Sequence, residues 1–208
     1  RQRQMCIRDR LPGDFIYKDV NGDGIINGMD ERPIGYPEGW APIMSFGGNI
    51  GLAWKGIDLN IDLSGGAMQG WRQNYELANA YHGNGNSPVY LLEDRWHRAD
   101  LYDPESEWIP GRYPAIRKGE FSYNNKNSDF WLHNVRYLRI KNLEVGYSLP
   151  AQLLRPIRAQ KVRIYANVSN LCSFDNVGKF GVDPEITAAA AVVYPQQRTF
   201  LLGFNITY

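Results

Sequence analysis

Apolar side chains recur at every second position through several stretches of this chain, and that period of two constrains the fold more than any other feature. From Ser45 to Trp54, the residues Phe46, Gly48, Ile50, Leu52 and Trp54 alternate with Ser45, Gly47, Asn49, Gly51 and Ala53. After Lys55-Gly56 the pattern resumes, with Ile57, Leu59, Ile61 and Leu63 on one face and Asp58, Asn60, Asp62 and Ser64 on the other. Two such runs joined by a two-residue turn containing glycine predict a β-hairpin. A third run covers Trp131 to Leu149 and stops at Pro150; its halves are out of phase, which predicts a bulge near Lys141-Asn142. A fourth carries Val162, Ile164, Ala166 and Val168, and a fifth runs from about Gln197 to Tyr208. Composition agrees with an all-β chain rich in turns: 13% of residues are aromatic, and there are 21 Gly and 12 Pro.

The connections between these strands alternate strictly between short and long. Residues 55–56 and 150–160 are short links, whereas the segments before 45, at 66–130 and at 172–196 are long. This is the pattern of an up-and-down membrane barrel with tight periplasmic turns and long extracellular loops. A soluble barrel could alternate in the same way, but has little use for a loop of that length. The last strand presents Phe200, Leu202, Phe204, Ile206 and Tyr208 as an apolar comb. Ending on an aromatic, it resembles the signal by which outer-membrane barrels engage their assembly machinery. The expected organisation is an extracellular segment at 11–44, then barrel strands and loops over 45–208.

Charge and cysteine content exclude several classes. Lys and Arg number 23 against 22 Asp and Glu, a net charge of +1, so there is no electrostatic case for nucleic acid. The two cysteines, Cys6 and Cys172, form neither a disulfide framework nor a zinc spacing. No apolar run approaches the roughly 18 residues of a membrane helix, and mean hydropathy is −0.45. Residues 1–10 differ from all that follows, lack the apolar region of a signal peptide, and read as a non-native segment resembling translated sequencing adapter.

The stretch Asp19-Val20-Asn21-Gly22-Asp23-Gly24-Ile25-Ile26-Asn27-Gly28-Met29-Asp30 spells a calcium loop. Oxygen donors stand at Asp19, Asn21, Asp23, Asn27 and Asp30, Ile25 offers its carbonyl, and Gly24 occupies the sharp turn. A hard cation needs this density of oxygens at one point. Asp/Asn/Gly-rich stretches also make plain turns. Pro33 and Pro37 prevent a following helix, so the expected role is a structural staple in an extracellular loop. The rival reading is a soluble calcium-dependent binding module of the dockerin or adhesin type.

The segment from Gly66 to Trp131 is rich in aromatics, among them Trp71, Trp96 and Trp108. These tryptophans are candidates for contact with a substrate or partner; the competing reading makes the aromatics the loop's own small core. Ser87-Pro88 before Val89, Leu92 and Trp96 predicts a capped short helix. No catalytic constellation is spelled out: His82, His97 and His133 have no metal-ligand spacing, and GxSxG, P-loop and GxGxxG motifs are absent. A non-enzyme is expected. Arg136, Arg139, Lys141, Arg155, Arg158, Lys161 and Arg163 make 132–170 basic, as rim or lumen residues of a barrel would.

Several stretches together resemble the C-terminal part of SusC/RagA-type TonB-linked outer-membrane proteins of Bacteroidetes. They are Pro12-Gly13-Asp14 leading into Tyr17-Lys18-Asp19, Tyr137-Leu138-Arg139-Ile140-Lys141-Asn142-Leu143, and Gly146-Tyr147-Ser148-Leu149-Pro150. Asn170-Leu171, Gly181-Val182-Asp183-Pro184-Glu185 and Tyr194-Pro195-Gln196-Gln197-Arg198-Thr199-Phe200 complete the set. The resemblance spans about 11–208 and implies a TonB-dependent-receptor-type barrel of about 22 strands, of which this chain carries about five. It further implies import of glycans or peptides across the outer membrane, a SusD-like surface lipoprotein as partner, and energy from TonB through an N-terminal region.

Overall fold

The computed structural model describes residues 10–39, 41–117, 123–185, 194 and 196–208. Of residues 1–10, read above as foreign, the first nine lie outside this set, while Arg10 lies inside it and donates to Tyr123 Oη at 2.6 Å. Two compact units divide the chain: residues up to Gly35 with Arg72–His133 form one, and Tyr36–Trp71 with most of the chain beyond Asn134 forms the other.

In chain order the strands are β1 (Met44–Trp54), β2 (Ile57–Arg72), β3 (His97–Arg98), β4 (Trp108–Ile109), β5 (Leu132–Ser148), β6 (Lys161–Asp175) and β7 (Thr199–Thr207). Two short helices, α1 (Val89–Glu93) and α2 (Ala151–Leu154), complete the regular structure apart from 3-10 turns. The main sheet has the order β1-β2-β5-β6-β7, neighbours in space following the order in sequence.

Register explains why this sheet has two chemically distinct faces. Ile50 stands opposite Ile61, Leu52 opposite Leu59 and Trp54 opposite Ile57. Tyr147 faces Ile164, and Ile164, Ala166 and Val168 face Phe204, Leu202 and Phe200. Apolar thus meets apolar across every one of these pairs, and because side chains alternate, polar meets polar on the reverse. The apolar face lies open: Leu52, Trp54, Phe200, Leu202 and Phe204 are all exposed, Leu202 by 84%.

The predicted hairpin turn is present, Lys55 and Gly56 both taking positive φ (49° and 86°), as the tight turn between twisted strands requires. The predicted break in β5 is also present, as a register shift between Ile140 and Asn142. The extra residue lies on β6, where Asn170 and Leu171 stand opposite Lys141 alone and Asn170 takes φ 53°.

β2 and β6 run beyond their sequence-predicted ends near 64 and 171, to Arg72 and Asp175. The glycines that suggest a loop are sites of close approach instead. A Cβ on Gly70 would overlap the Tyr36 carbonyl, and the Gly70 amide donates to Pro37 O at 3.0 Å.

The first unit is built on aromatic packing. Leu91, Tyr113 and Trp131 form its buried centre, with Phe15, Ala78, Tyr90 and Phe130 against them. Phe15 and Phe130 ring centroids lie 4.6 Å apart, and Phe130 meets Trp131 edge-on at 4.7 Å. Polar groups tie this core to its surroundings: Trp131 Nε1 donates to Asn124 O at 2.8 Å, Asn124 Nδ2 donates to Asp14 Oδ1 at 2.8 Å, and Arg117 pairs with Asp14. The predicted helix forms as α1, but Pro88 occupies its N-cap and no side chain caps it. Leu91 is the residue it buries, whereas Val89 is exposed, because a five-residue helix is oriented by the core it meets and not by its own periodicity.

Leu91→Ala removes a fully buried side chain from this centre and is expected to cost about 2–5 kcal/mol. Amide exchange should report it as faster exchange at Tyr113 and Trp96, with β5–β7 unaffected.

Candidate functional site

The polar face of the sheet is a wall cross-linked by charge. Arg163 on β6 is its centre. Its guanidinium engages the Asp58 carboxylate on β2 through two nitrogens, Nε at 3.0 Å, and reaches Glu144 Oε1 on β5 at 2.6 Å. Glu144 Oε2 accepts from Asn167 Nδ2 at 3.3 Å. On the next tier Asn49 Nδ2 donates to Asn60 Oδ1 and Asp62 Oδ1 at 2.8 and 2.7 Å, and Asn142 Nδ2 to Asp62 Oδ2 at 3.3 Å. β1, β2, β5 and β6 are therefore joined by side chains as well as by backbone.

Two glycines make room for this network. A Cβ on Gly146 would fall within the Arg163 guanidinium, and one on Gly203 within the Tyr165 ring. The Tyr165 ring in turn supports Arg163, whose Cζ lies 5.1 Å from the ring centroid.

A second cluster ties a loop segment to the same wall. Arg139, only 5% exposed, donates to Glu185 Oε2 at 2.9 Å and to Asp183 Oδ2 at 2.7 Å. Lys141 Nζ lies 3.1 Å from Glu185 Oε1, which also accepts from Ser64 Oγ at 3.1 Å. Val177, Phe180 and Val182 are buried nearby, and Phe180 packs on Trp71 at 5.6 Å between centroids. The residues following β6 are thus fastened inward over the polar face by a guanidinium, an ammonium and buried apolar side chains. Sequence reasoning noted Arg139 and Lys141 as basic and Asp183-Pro184-Glu185 as a motif, but could not pair them, since the partners stand more than 40 positions apart.

The Asp19–Asp30 loop closes on itself. Asp19 accepts from the amides of Gly22 and Gly24, both at 2.6 Å, and Asp23 accepts from Ile25 N at 2.7 Å. Asp30 accepts from Val20 and Asn27, both at 2.9 Å, and from Asn21 at 3.3 Å, so it joins the two ends. Asn27 caps the 3-10 turn Gly28–Asp30 through Met29 N, and Gly24 takes φ 81°. The backbone amides at Asn27, Val20 and Asn21 hold the Asp30 carboxyl below its usual range. Among the described residues no group of three His, Cys, Asp or Glu stands together as a metal site.

The three tryptophans occupy different settings. Trp71 is buried on Phe180. Trp96 is half-buried against Gly13, whose φ of +87° and bare Cα allow the indole to lie on the backbone. Trp108, also half-buried, carries the Arg98 guanidinium 4.8 Å above its ring in the β3–β4 pair. In β7, Phe200, Leu202, Phe204 and Ile206 point to the open apolar face, and Tyr208 follows the strand end, 77% exposed.

No profile of a described protein family matches the chain. Individual proteins do. TonB-dependent receptor P3 of Formosa agariphila is 27% identical over 213 residues, covering 96% of this chain and 19% of that protein. TonB-dependent receptor SusC of Bacteroides thetaiotaomicron is 33% identical over 99 residues, 45% of this chain and 9% of that protein. Among solved structures, the RagAB peptide transporter aligns with a TM-score of 0.57 at 22% identity, over 88% of this chain and 19% of that one. The chain is similar to TonB-dependent receptors, the SusC and RagAB proteins among them. It spans about a fifth of the length of the curated relatives it matches from end to end. The five-stranded meander has the fold of a stretch of that transporter's antiparallel β-structure, and as described here it is an open sheet.

Arg139→Met leaves Asp183 without its cation and Glu185 with Lys141 alone. Breaking one partner of a buried pair costs about 3–5 kcal/mol, so amide exchange and protease cleavage at 176–185 should rise sharply. The triple change Arg139→Met, Asp183→Leu, Glu185→Leu should recover most of the loss. A lowered Asp30 carboxyl stabilises the loop at and above its ordinary titration range, and that stabilisation disappears as pH falls through the lowered value. The amides of Val20 and Asn27 should therefore lose exchange protection on acidification, and Asp30→Ala should remove that protection already at neutral pH.

Proposed function

We propose that this chain forms part of an outer-membrane importer that takes up glycans or peptides, driven by TonB and assisted by a SusD-like surface lipoprotein. The observation that carries the reading is the sheet's division into an open apolar face in register over β1, β2, β5, β6 and β7 and a charged, cross-linked opposite face. A wall of this kind suits lipid on one side and an aqueous lumen on the other. β2, β5 and β6 have 16, 17 and 15 residues, more than the roughly 9–11 needed to cross a bilayer, so each is long enough to span it with residues to spare. Similarity to TonB-dependent receptors supports coupling to TonB. The name of the RagAB peptide transporter supports a two-component importer. A role without catalysis is consistent with these relatives.

Calcium belongs to this proposal as a structural ion of the extracellular Asp19–Asp30 loop. Asp19, Asn21, Asp23, Asn27 and Asp30 with the Ile25 carbonyl supply hard oxygen donors, and the loop already folds around its own carboxylates. Terbium luminescence of the full receptor, excited through Tyr17, should rise on titration and be lost in Asp23→Ala; an unchanged signal would remove calcium from the account.

Leu202 separates the importer from a soluble binding module. At 84% exposure, Leu202→Arg would be harmless on a surface bathed in water. Facing lipid near the midplane it costs about 2–4 kcal/mol. The expected outcome is loss of folded, heat-modifiable receptor from the outer-membrane fraction. Normal yield of a water-soluble, cooperatively melting protein would overturn the membrane reading.

A further inference from the structure

We propose that the short-turn edge of the main sheet carries a binding site for the phosphate of an anionic phospholipid, built on Arg155 and Arg158. The proposal rests on the importer reading, which puts the apolar face against lipid and the short turns at the periplasmic rim, beside the headgroups of the inner leaflet.

Both short links meet at one edge. Ser148 N donates to Gly56 O at 2.7 Å, Leu149 N to Val162 O at 2.9 Å and Gln160 N to Thr207 O at 2.7 Å. The 149–160 link is thus closed at both ends and lies beside the β1–β2 turn. Within it, α2 is followed by the 3-10 turn Arg155–Ile157. Leu154 is buried and anchors the link, whereas Leu153 is 61% exposed.

Charge decides the ligand. Between Glu144 and Asp175 the sequence has no acidic residue, while Arg155, Arg158, Lys161 and Arg163 follow one another. Arg163 is taken up by Asp58 and Glu144, and Lys161 acts electrostatically on Asp58. Arg155 and Arg158 are exposed, and among the described residues their guanidinium groups make no hydrogen bond, ion pair or ring contact. The backbone holds them one turn apart, Arg158 N donating to Arg155 O at 3.3 Å. Like charges at that spacing repel, and an anion placed between them turns the repulsion into attraction. Phosphate has oxygens enough for two planar forks, which is why guanidinium groups recognise it.

Arg158 carries a further mark. It takes φ 54° at the C-cap of the 3-10 turn, a position that glycine fills without steric cost and other residues do not. The turn itself would be better served by glycine, so the arginine answers to something outside the fold.

The neighbours make the phosphate a lipid's. Trp54 is 69% exposed at the end of β1, and the Lys55 ammonium lies 4.8 Å from its ring centroid. An aromatic ring and a cation closing an apolar strand suit a membrane–water interface. Free phosphate gains nothing from Trp54 or Leu153, whereas an acyl chain covers apolar surface that otherwise stays in water.

The test uses the full receptor in detergent, with native mass spectrometry counting bound lipid on titration with dioleoyl phosphatidylglycerol or dioleoyl phosphatidylcholine. Phosphatidylglycerol should bind more tightly. Arg155→Gln with Arg158→Gln should weaken it by about fivefold for each cation removed and leave phosphatidylcholine unchanged. Arg155→Lys with Arg158→Lys keeps the charge without the forks and should fall between the two. Arg136→Gln, an exposed arginine at the opposite end of β5, should change nothing. No preference for phosphatidylglycerol, an unchanged affinity in the glutamine variant, or displacement of the lipid by millimolar inorganic phosphate would each overturn the site. Both double variants should keep the heat-modifiable band of the folded receptor; its loss in both would make the arginines structural and overturn the site as well. A receptor that inserts and imports yet fails here loses only this site, whereas failure of the Leu202→Arg test removes the importer reading itself.

Discussion

Everything in the sheet depends on register. Side chains alternate strictly along a strand, so a slip of one residue would carry an entire apolar set to the polar face and the reverse. Backbone hydrogen bonds alone are indifferent to such a slip. Arg163 is not, because it can satisfy Asp58 on β2 and Glu144 on β5 together in one register only. The glycine at 146 makes the same point sterically, since any side chain there would displace the guanidinium from between its two carboxylates. The wall is therefore specified from both sides: apolar pairing selects which face is which, and the charge network fixes the alignment to the residue.

The middle of each strand was legible because the alternation is local and survives without knowledge of any partner. Strand ends were not. At Gly65, Gly66 and Gly70, near and beyond the expected end of β2, another group lies against the strand. Likewise the carboxylates of Asp183 and Glu185 look like an acidic turn until Arg139 is brought to them by a fold that no window of the sequence contains. Aromatic richness in the long loop signalled order, and the buried Trp131 and Tyr113 supply the loop's own core. Which aromatics stay outside, as Tyr81 does, depended on backbone conformations at positive φ that residue type does not announce.

The calcium loop illustrates a different limit. Its spelling fixes where the oxygen donors are, and the structure adds that backbone amides already occupy most of them. Those amide bonds and an ion are compatible in principle, because a carboxylate has lone pairs enough for both. The spacing predicts a closed twelve-residue loop either way, which is why sequence alone separates an ion site from a self-capped turn so poorly.

The register shift at Lys141 joins the wall to the loop it holds. Without it, alternation would place Arg139 on the same face as Leu143 and Val145, the open apolar side, where a guanidinium has no partner. β5 changes face at this point, so that Arg139 lies on the side of Glu144 and Asn142 and meets Asp183 and Glu185. Leu138 moves outward by the same step and is exposed. A single continuous strand thus serves two tasks: a wall with an apolar outer face along its second half, and an inward-facing cation that secures the following loop along its first. The change of phase visible in the sequence between Ile140 and Asn142 is the trace of that division.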